Sequence, residues 1–214
     1  MKDIKAIIFD MDGVILDSES LCDKIWAEIA KEMNISNISL GINECRGRNI
    51  SDTKIILKRI YGDDFDSELF TNKSIEKFHE VENTSGIPLL PYVKETLDYL
   101  KPKYRIALAS STKGDTVRRQ LNRVGVLDYF ETLTTGDMVI HSKPNPEIYQ
   151  MSCSSLQLSV DECIAIEDSP NGIKSAYNAG LRTVMIPDRM QPTEEIKPLL
   201  WNLCDSLKGL IKIL

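Results

Sequence analysis

Ile4-Lys5-Ala6-Ile7-Ile8-Phe9-Asp10-Met11-Asp12-Gly13 is the stretch that decides how this chain folds. A short, largely apolar run closed by a glycine turn predicts a buried strand. Asp10 and Asp12, spaced i and i+2, then project from the strand tip into the crevice where open α/β sheets bind ligands. Two carboxylates that close repel each other unless a cation or a proton lies between them. An Asp-Gly turn after an edge strand would explain the same residues without chemistry, so the stretch alone leaves both readings open.

Outward from it, amphipathic spacing predicts helices over about 20–33, 51–61 and 66–81, the second bounded by Ser51-Asp52 and Gly62. No strand is expected between residues 18 and 86. The pattern then alternates. A helix over 92–100 precedes the run Ile106-Ala107-Leu108-Ala109 and the polar cluster Ser110-Ser111-Thr112. A helix over 115–124 stops at Gly125, and a weak strand over 132–135 precedes Gly136. A helix follows Pro146, and Ser159 with Glu162 forms a capping box. Cys163 to Ile166 is a strand that delivers Glu167-Asp168, followed by a helix over 171–179. Thr183 to Ile186 reads as the last strand, and Leu203 to Leu214 as a packing helix. Alternating strands and helices imply an α/β fold with a parallel, Rossmann-like sheet and right-handed crossovers. The expected organisation is a core of residues 1–16 and 89–214, with an inserted α-helical cap domain over 17–88.

Composition narrows the function classes. The 214 residues carry a net charge of −6 with Lys and Arg scattered, so neither nucleic acid nor an anionic membrane is an expected partner. An apolar content of 42% is ordinary for a domain with a proper core. The opening apolar run is broken by Asp10 and Asp12, which argues against a membrane span or a signal peptide and makes the cytoplasm the expected location. Five widely spaced cysteines without Cys-x-x-Cys point to reduced thiols. Two distant histidines, His79 and His141, make a zinc site or a Ser-His-Asp triad a poor expectation.

The polar residues that follow the apolar runs share one crevice in a parallel sheet. Here they are expected to be Asp10 and Asp12, Ser110 and Ser111, Lys143, and Glu167 with Asp168. Carboxylates, one lysine and hydroxyl donors suit Mg²⁺-dependent phosphoryl transfer. Hard oxygens bind the cation, an ammonium and a hydroxyl offset phosphate charge, and an aspartate can attack phosphorus. Taken singly, each group also has a plain structural explanation: a strand end, a loop lysine, a helix N-terminus.

As an ordered set they resemble the haloacid-dehalogenase-like hydrolase superfamily. Phe9 to Val14 is similar to its first motif, Ala109-Ser110-Ser111 to its second, Ser142 to Pro146 with Tyr149 to its third, and Ile166 to Ser169 with Gly172 to its fourth. The helical insert and Asp17-Ser18-Glu19 resemble the subgroup holding β-phosphoglucomutase and small sugar-phosphate phosphatases. The resemblance implies that Asp10 is the nucleophile and a Mg²⁺ ligand, and that Asp12 is the general acid and base with its backbone carbonyl toward the metal. It further implies that Asp168 is a metal ligand, with Glu167 a ligand or its neighbour, and that Ser110, Ser111 and Lys143 hold phosphate. It also implies hinges near Leu16–Ser20 and Ile87–Pro91, about which a cap closes.

In the insert, Arg46-Gly47-Arg48-Asn49 occupies the region where proteins of the resembled subgroup carry a substrate loop, so the resemblance makes Arg46 and Arg48 candidate substrate contacts; solvated loop charges explain them equally well. The expected activity is a monomeric phosphatase acting on a small phosphorylated metabolite, a sugar or polyol phosphate. A phosphomutase ranks second and a pyrophosphatase third. The mutase departs from this sequence at Cys22, where its family carries a histidine, and at Ile50, near which its cap-loop arginine falls.

Overall fold

The computed structural model describes residues 3–46 and 50–214. Six strands form one sheet: β1 (Ala6–Phe9), β2 (Arg105–Ser110), β3 (Thr132–Thr135), β4 (Cys163–Glu167), β5 (Arg182–Met185) and β6 (Asn202–Leu203). Their order is β3-β2-β1-β4-β5-β6, and every neighbouring pair is parallel. Parallel strands are covered on both faces, which is why β1 and β4 are apolar without alternation and buried throughout. The chain leaves β1 toward β2 and returns on the other side at β4, so the strand order reverses between these two. That reversal opens a crevice at their C-terminal ends.

The helices are α1 (Ser18–Glu32), α2 (Ile38–Cys45), α3 (Ile50–Tyr61), α4 (Ser67–Thr84), α5 (Val93–Leu100), α6 (Gly114–Arg123), α7 (Glu147–Ser155), α8 (Pro170–Asn178) and the one-turn α9 (Leu210–Ile213). The chain divides into two compact units, Met1–Asp17 with Pro88–Leu214, and Ser18–Ile87. The first holds the sheet. One face of that sheet is built from small residues, Ala6, Ala107, Ala109 and Ala165, which leave room for Tyr149 and Ala176 from the covering helices. The two chain crossings run side by side where they leave this unit: the Asp17 amide donates to the Pro88 carbonyl at 2.8 Å, and Leu16 bridges Leu89.

The second unit is α1 to α4. Its interior is aromatic, with Trp26 edge-on to Phe70 at 5.0 Å and Phe65 tilted between Tyr61 and Phe70. On its surface Lys73 and Lys77 pair with Glu32 and Glu80.

Three expectations need correction. The strand over 182–185 is not the last, because Asn202–Leu203 adds a two-residue parallel strand beyond it. The expected helix over 203–214 is instead that strand, a 3-10 turn over Leu207–Gly209 and the single turn α9. Helix α2 was not expected; Asn37 precedes it in a left-handed conformation without a side-chain cap.

Candidate active site

Asp10 follows β1 directly, and its amide donates to the Ile166 carbonyl of β4 at 2.9 Å. Phe9 pairs with Ile166 in register, so Asp10 and Glu167 emerge side by side at the reversal point. Beyond Asp10 the chain turns tightly, the Met11 carbonyl accepting from both Ile15 and Leu16. Gly13 sits in this turn at φ +77°, and a Cβ there would stand 2.3 Å from Asp168 Oδ2. Glycine serves both the left-handed backbone and the close approach of the Asp168 carboxylate.

Lys143 is the centre of charge compensation. Its Nζ donates to Asp10 Oδ1 at 2.6 Å, to Glu167 Oε1 at 2.7 Å and to the Ala109 carbonyl at 3.0 Å. It does not sit at a strand end, as the sequence suggested, but eight residues past β3 on the segment leading into α7. One oxygen from each of Asp10, Glu167 and Asp168 lies within 4.8 Å of the others. Burial pushes Asp10 up to about 7, with Lys143 opposing and Glu167 adding to the rise. Burial pushes Asp168 up to about 9, reinforced by the charges of Asp10, Glu167 and Asp188. Burial disfavours the Lys143 ammonium, yet Asp10 and Glu167 together hold it above the ordinary lysine value. Three crowded carboxylates facing one ammonium leave negative charge uncompensated, and their hard oxygens suit a hard divalent cation.

The other expected residues are placed less uniformly. Asp12 does not bring its carboxylate into the three-acid group; it accepts a long hydrogen bond from Thr112 Oγ1 at 3.4 Å. Ser110 is buried at the end of β2, and its Oγ accepts from the Thr112 amide at 3.1 Å. Ser111 is exposed, and its carbonyl lies where a Cβ on Gly136 would stand at 2.0 Å. Ser169 caps α8 by accepting from the Gly172 amide, with Pro170 at the first helical position, so the helix-start reading of Glu167-Asp168-Ser169 is also correct. Arg46 is bound within the helical unit, to Asp23 at 2.6 Å and Asn43 at 3.2 Å. It lines a cavity of about 440 Å³ there with Cys22, Trp26, Ile42 and Phe78. Arg48 lies outside the described residues.

Sequence reasoning gave no part to Asp188, named Thr112 only within a polar cluster, and quoted Tyr149 without a role. Tyr149 donates to Glu167 Oε1 at 2.7 Å, and burial pushes its hydroxyl well above the ordinary value, so it remains a donor.

A family model described as haloacid dehalogenase-like hydrolase matches residues 7–186. The chain belongs to this family. Among the relatives of this haloacid dehalogenase-like hydrolase is YhcW of Bacillus subtilis (strain 168), provisionally named a phosphatase. It is 32% identical over 195 residues, covering 89% of this chain and 86% of the relative. A Thermotoga maritima protein named phosphorylated carbohydrates phosphatase is 29% identical over 195 residues, covering 85% and 84%. A solved structure provisionally named β-phosphoglucomutase, also from Thermotoga maritima, superposes with a TM-score of 0.81 at 24% identity, covering 98% of each chain. The chain is thus a haloacid dehalogenase-like enzyme whose fold is a Rossmann-like sheet with a helical insertion.

Proposed function

We propose that this enzyme is a Mg²⁺-dependent phosphatase that hydrolyses a small phosphate monoester through an aspartyl phosphate on Asp10. The observation that carries the reading is the convergence of Asp10, Lys143, Glu167 and Asp168 at the reversal point of the sheet. The names of two relatives support a phosphatase, and one of them supports a phosphorylated carbohydrate as substrate.

The residues divide the work as follows. An Asp10 carboxylate oxygen attacks phosphorus, and the bond from phosphorus to the leaving oxygen breaks. Asp12, protonated at that point, gives its proton to the leaving alkoxide. A water then attacks the aspartyl phosphate, its proton passes to Asp12, and the bond to Asp10 breaks to release inorganic phosphate. Lys143 and the backbone after Ser110 offset charge on the phosphoryl oxygens. Asp10, Asp168 and Glu167 would hold Mg²⁺, which when bound supplies charge neutralisation and favours the ionised form of Asp10. The unit Ser18–Ile87 serves as the cap, with its substrate contacts around Arg46.

The deciding experiment measures phosphate release with and without Mg²⁺ over sugar phosphates, polyol phosphates, nucleotides and pyrophosphate, for the native enzyme and Asp10→Asn. Mg²⁺-dependent release that vanishes in a folded Asp10→Asn variant supports the reading. Release persisting in that variant removes Asp10 from its role. A coupled assay for glucose 6-phosphate from β-glucose 1-phosphate tests the mutase alternative, against which Cys22 speaks.

A further inference from the structure

Tyr149 is the largest of the fully buried side chains, and it lies on α7 under the sheet among alanines. A core position of that kind is ordinarily met by Phe, Leu or Ile, and a buried phenol is expected to have a partner for its hydroxyl. The partner here is a single oxygen of the site. Tyr149 Oη donates to Glu167 Oε1 at 2.7 Å, the oxygen that Lys143 also reaches at 2.7 Å. The Lys143 ammonium lies 5.1 Å from the centroid of the same tyrosine ring. Glu167 Oε1 therefore takes two short, strong donors. Among the described residues, Glu167 Oε2 has only longer contacts, from the Asp168 amide and Ser169 Oγ, each at 3.3 Å. The carboxylate is fully buried and stands within 2.0 Å of the place a Cβ on Gly172 would take, so little room is left for it to shift.

We propose that Tyr149 is a positioning residue: its hydroxyl fixes Glu167 Oε1 beside Lys143 and so assigns Oε2 as the oxygen that Glu167 offers to a divalent cation. The inference rests on the proposed cation site of Asp10, Glu167 and Asp168, and it divides one carboxylate between two duties. Without the hydroxyl, Lys143 is the only short donor to Glu167 among the described residues, and Oε1 is held from one side instead of two. Groups that orient metal ligands from behind ordinarily set affinity by one to two orders of magnitude.

The test is a double-substitution cycle on Mg²⁺ affinity, measured by calorimetry on the full chain without substrate: native, Tyr149→Phe, Glu167→Gln and both together. Tyr149→Phe removes one oxygen atom and keeps the ring, and thermal midpoints in EDTA report whether each variant folds. The expected result is roughly tenfold weaker binding in Tyr149→Phe, and no added effect of Tyr149→Phe when Glu167 is already Gln. Unchanged affinity in Tyr149→Phe overturns the proposal. So do effects that simply multiply, since those describe a tyrosine acting through packing alone. Phosphate release is assayed separately. An enzyme that binds Mg²⁺ with the expected cycle but hydrolyses no ester would sink the proposed function and leave the role of Tyr149 standing.

Discussion

The Glu167 carboxylate occupies the space that a Cβ on Gly172 would need, with all three carboxyl atoms 2.0 Å from that position. In the interior of a helix, replacing Gly by Ala ordinarily stabilises by about 1 kcal/mol. Gly172→Ala should do the reverse, because either the first turn of α8 or Glu167 must move, and overpacking of this kind costs about 1–3 kcal/mol. The expected variant melts lower than the native enzyme and loses at least roughly tenfold in Mg²⁺ affinity. Thermal melts and calorimetry check it, and an alanine variant that is more stable and fully active would show that the close approach is dispensable.

Asp12 stands apart from the three-acid group and is touched by Thr112 at 3.4 Å, which suits a group that moves protons rather than one that holds a cation. Asp12→Ala should therefore slow hydrolysis in proportion to how badly the leaving oxygen needs a proton. Alkyl phosphates are expected to lose about 10²–10⁴-fold, and an activated aryl phosphate far less. The comparison is of kcat/KM for matched alkyl and aryl esters, and equal losses on both would remove the acid role.

Cation removal should be visible in stability as well as rate. Asp10 and Asp168 both lie above the ordinary carboxylate range because they are buried close to other acids. Mg²⁺ that binds only the folded chain adds about 2.7 kcal/mol at a hundredfold excess over its Kd, or about 5–10 °C in Tm for a chain of this length. EDTA should abolish the gain. Asp168→Asn should melt higher than the native enzyme in EDTA and gain little from Mg²⁺, since it removes both the repulsion and a ligand. A variant that still gains the full increment would place the cation elsewhere.

How much of this was legible in the sequence depends on the range of the signal. Asp10, Ser110 and Glu167-Asp168 were readable because each stands at the end of an apolar run, with Asp12 two residues past Asp10, and the run fixes both the strand and the end of it. The capping box of Ser159 and Glu162 was legible for the same local reason, and it is present. Lys143 was identified but misplaced, since nothing in residues 136–143 says how a segment without a strand returns its lysine to the sheet. Helix α2 was missed although Asn37, a residue that commonly caps helices, directly precedes it; in the structure its left-handed backbone makes no side-chain cap hydrogen bond. Strand β6 is two residues long, too short to show a period. The dependence of Glu167 on Tyr149 and Gly172 was invisible in principle, because it joins α7, β4 and α8 through side-chain shape rather than through spacing.

Away from the active site, Glu162 gives a prediction whose sign is set by its partners. Its carboxylate is held down at about 2, first by the hydrogen bond from Lys5, then by the side chain and amide of Ser159. The distances are 2.6 Å to Lys5, 2.6 Å to Ser159 Oγ and 3.1 Å to the Ser159 amide. An unfolded glutamate titrates near roughly 4.3, so between there and about 2 the unfolded chain binds the extra proton. The contribution of Glu162 is therefore complete above the unfolded value and is lost as pH falls toward the folded one. Glu162→Gln should be less stable than the native chain at pH 6, with the gap narrowing as the pH is lowered through that window. Urea midpoints at a series of pH values measure it, and Lys5→Met should remove part of the same acid limb. A gap that stays constant down to the lowest pH at which both chains fold would mean that the capping geometry, and not the carboxylate charge, joins the start of β1 to the start of β4.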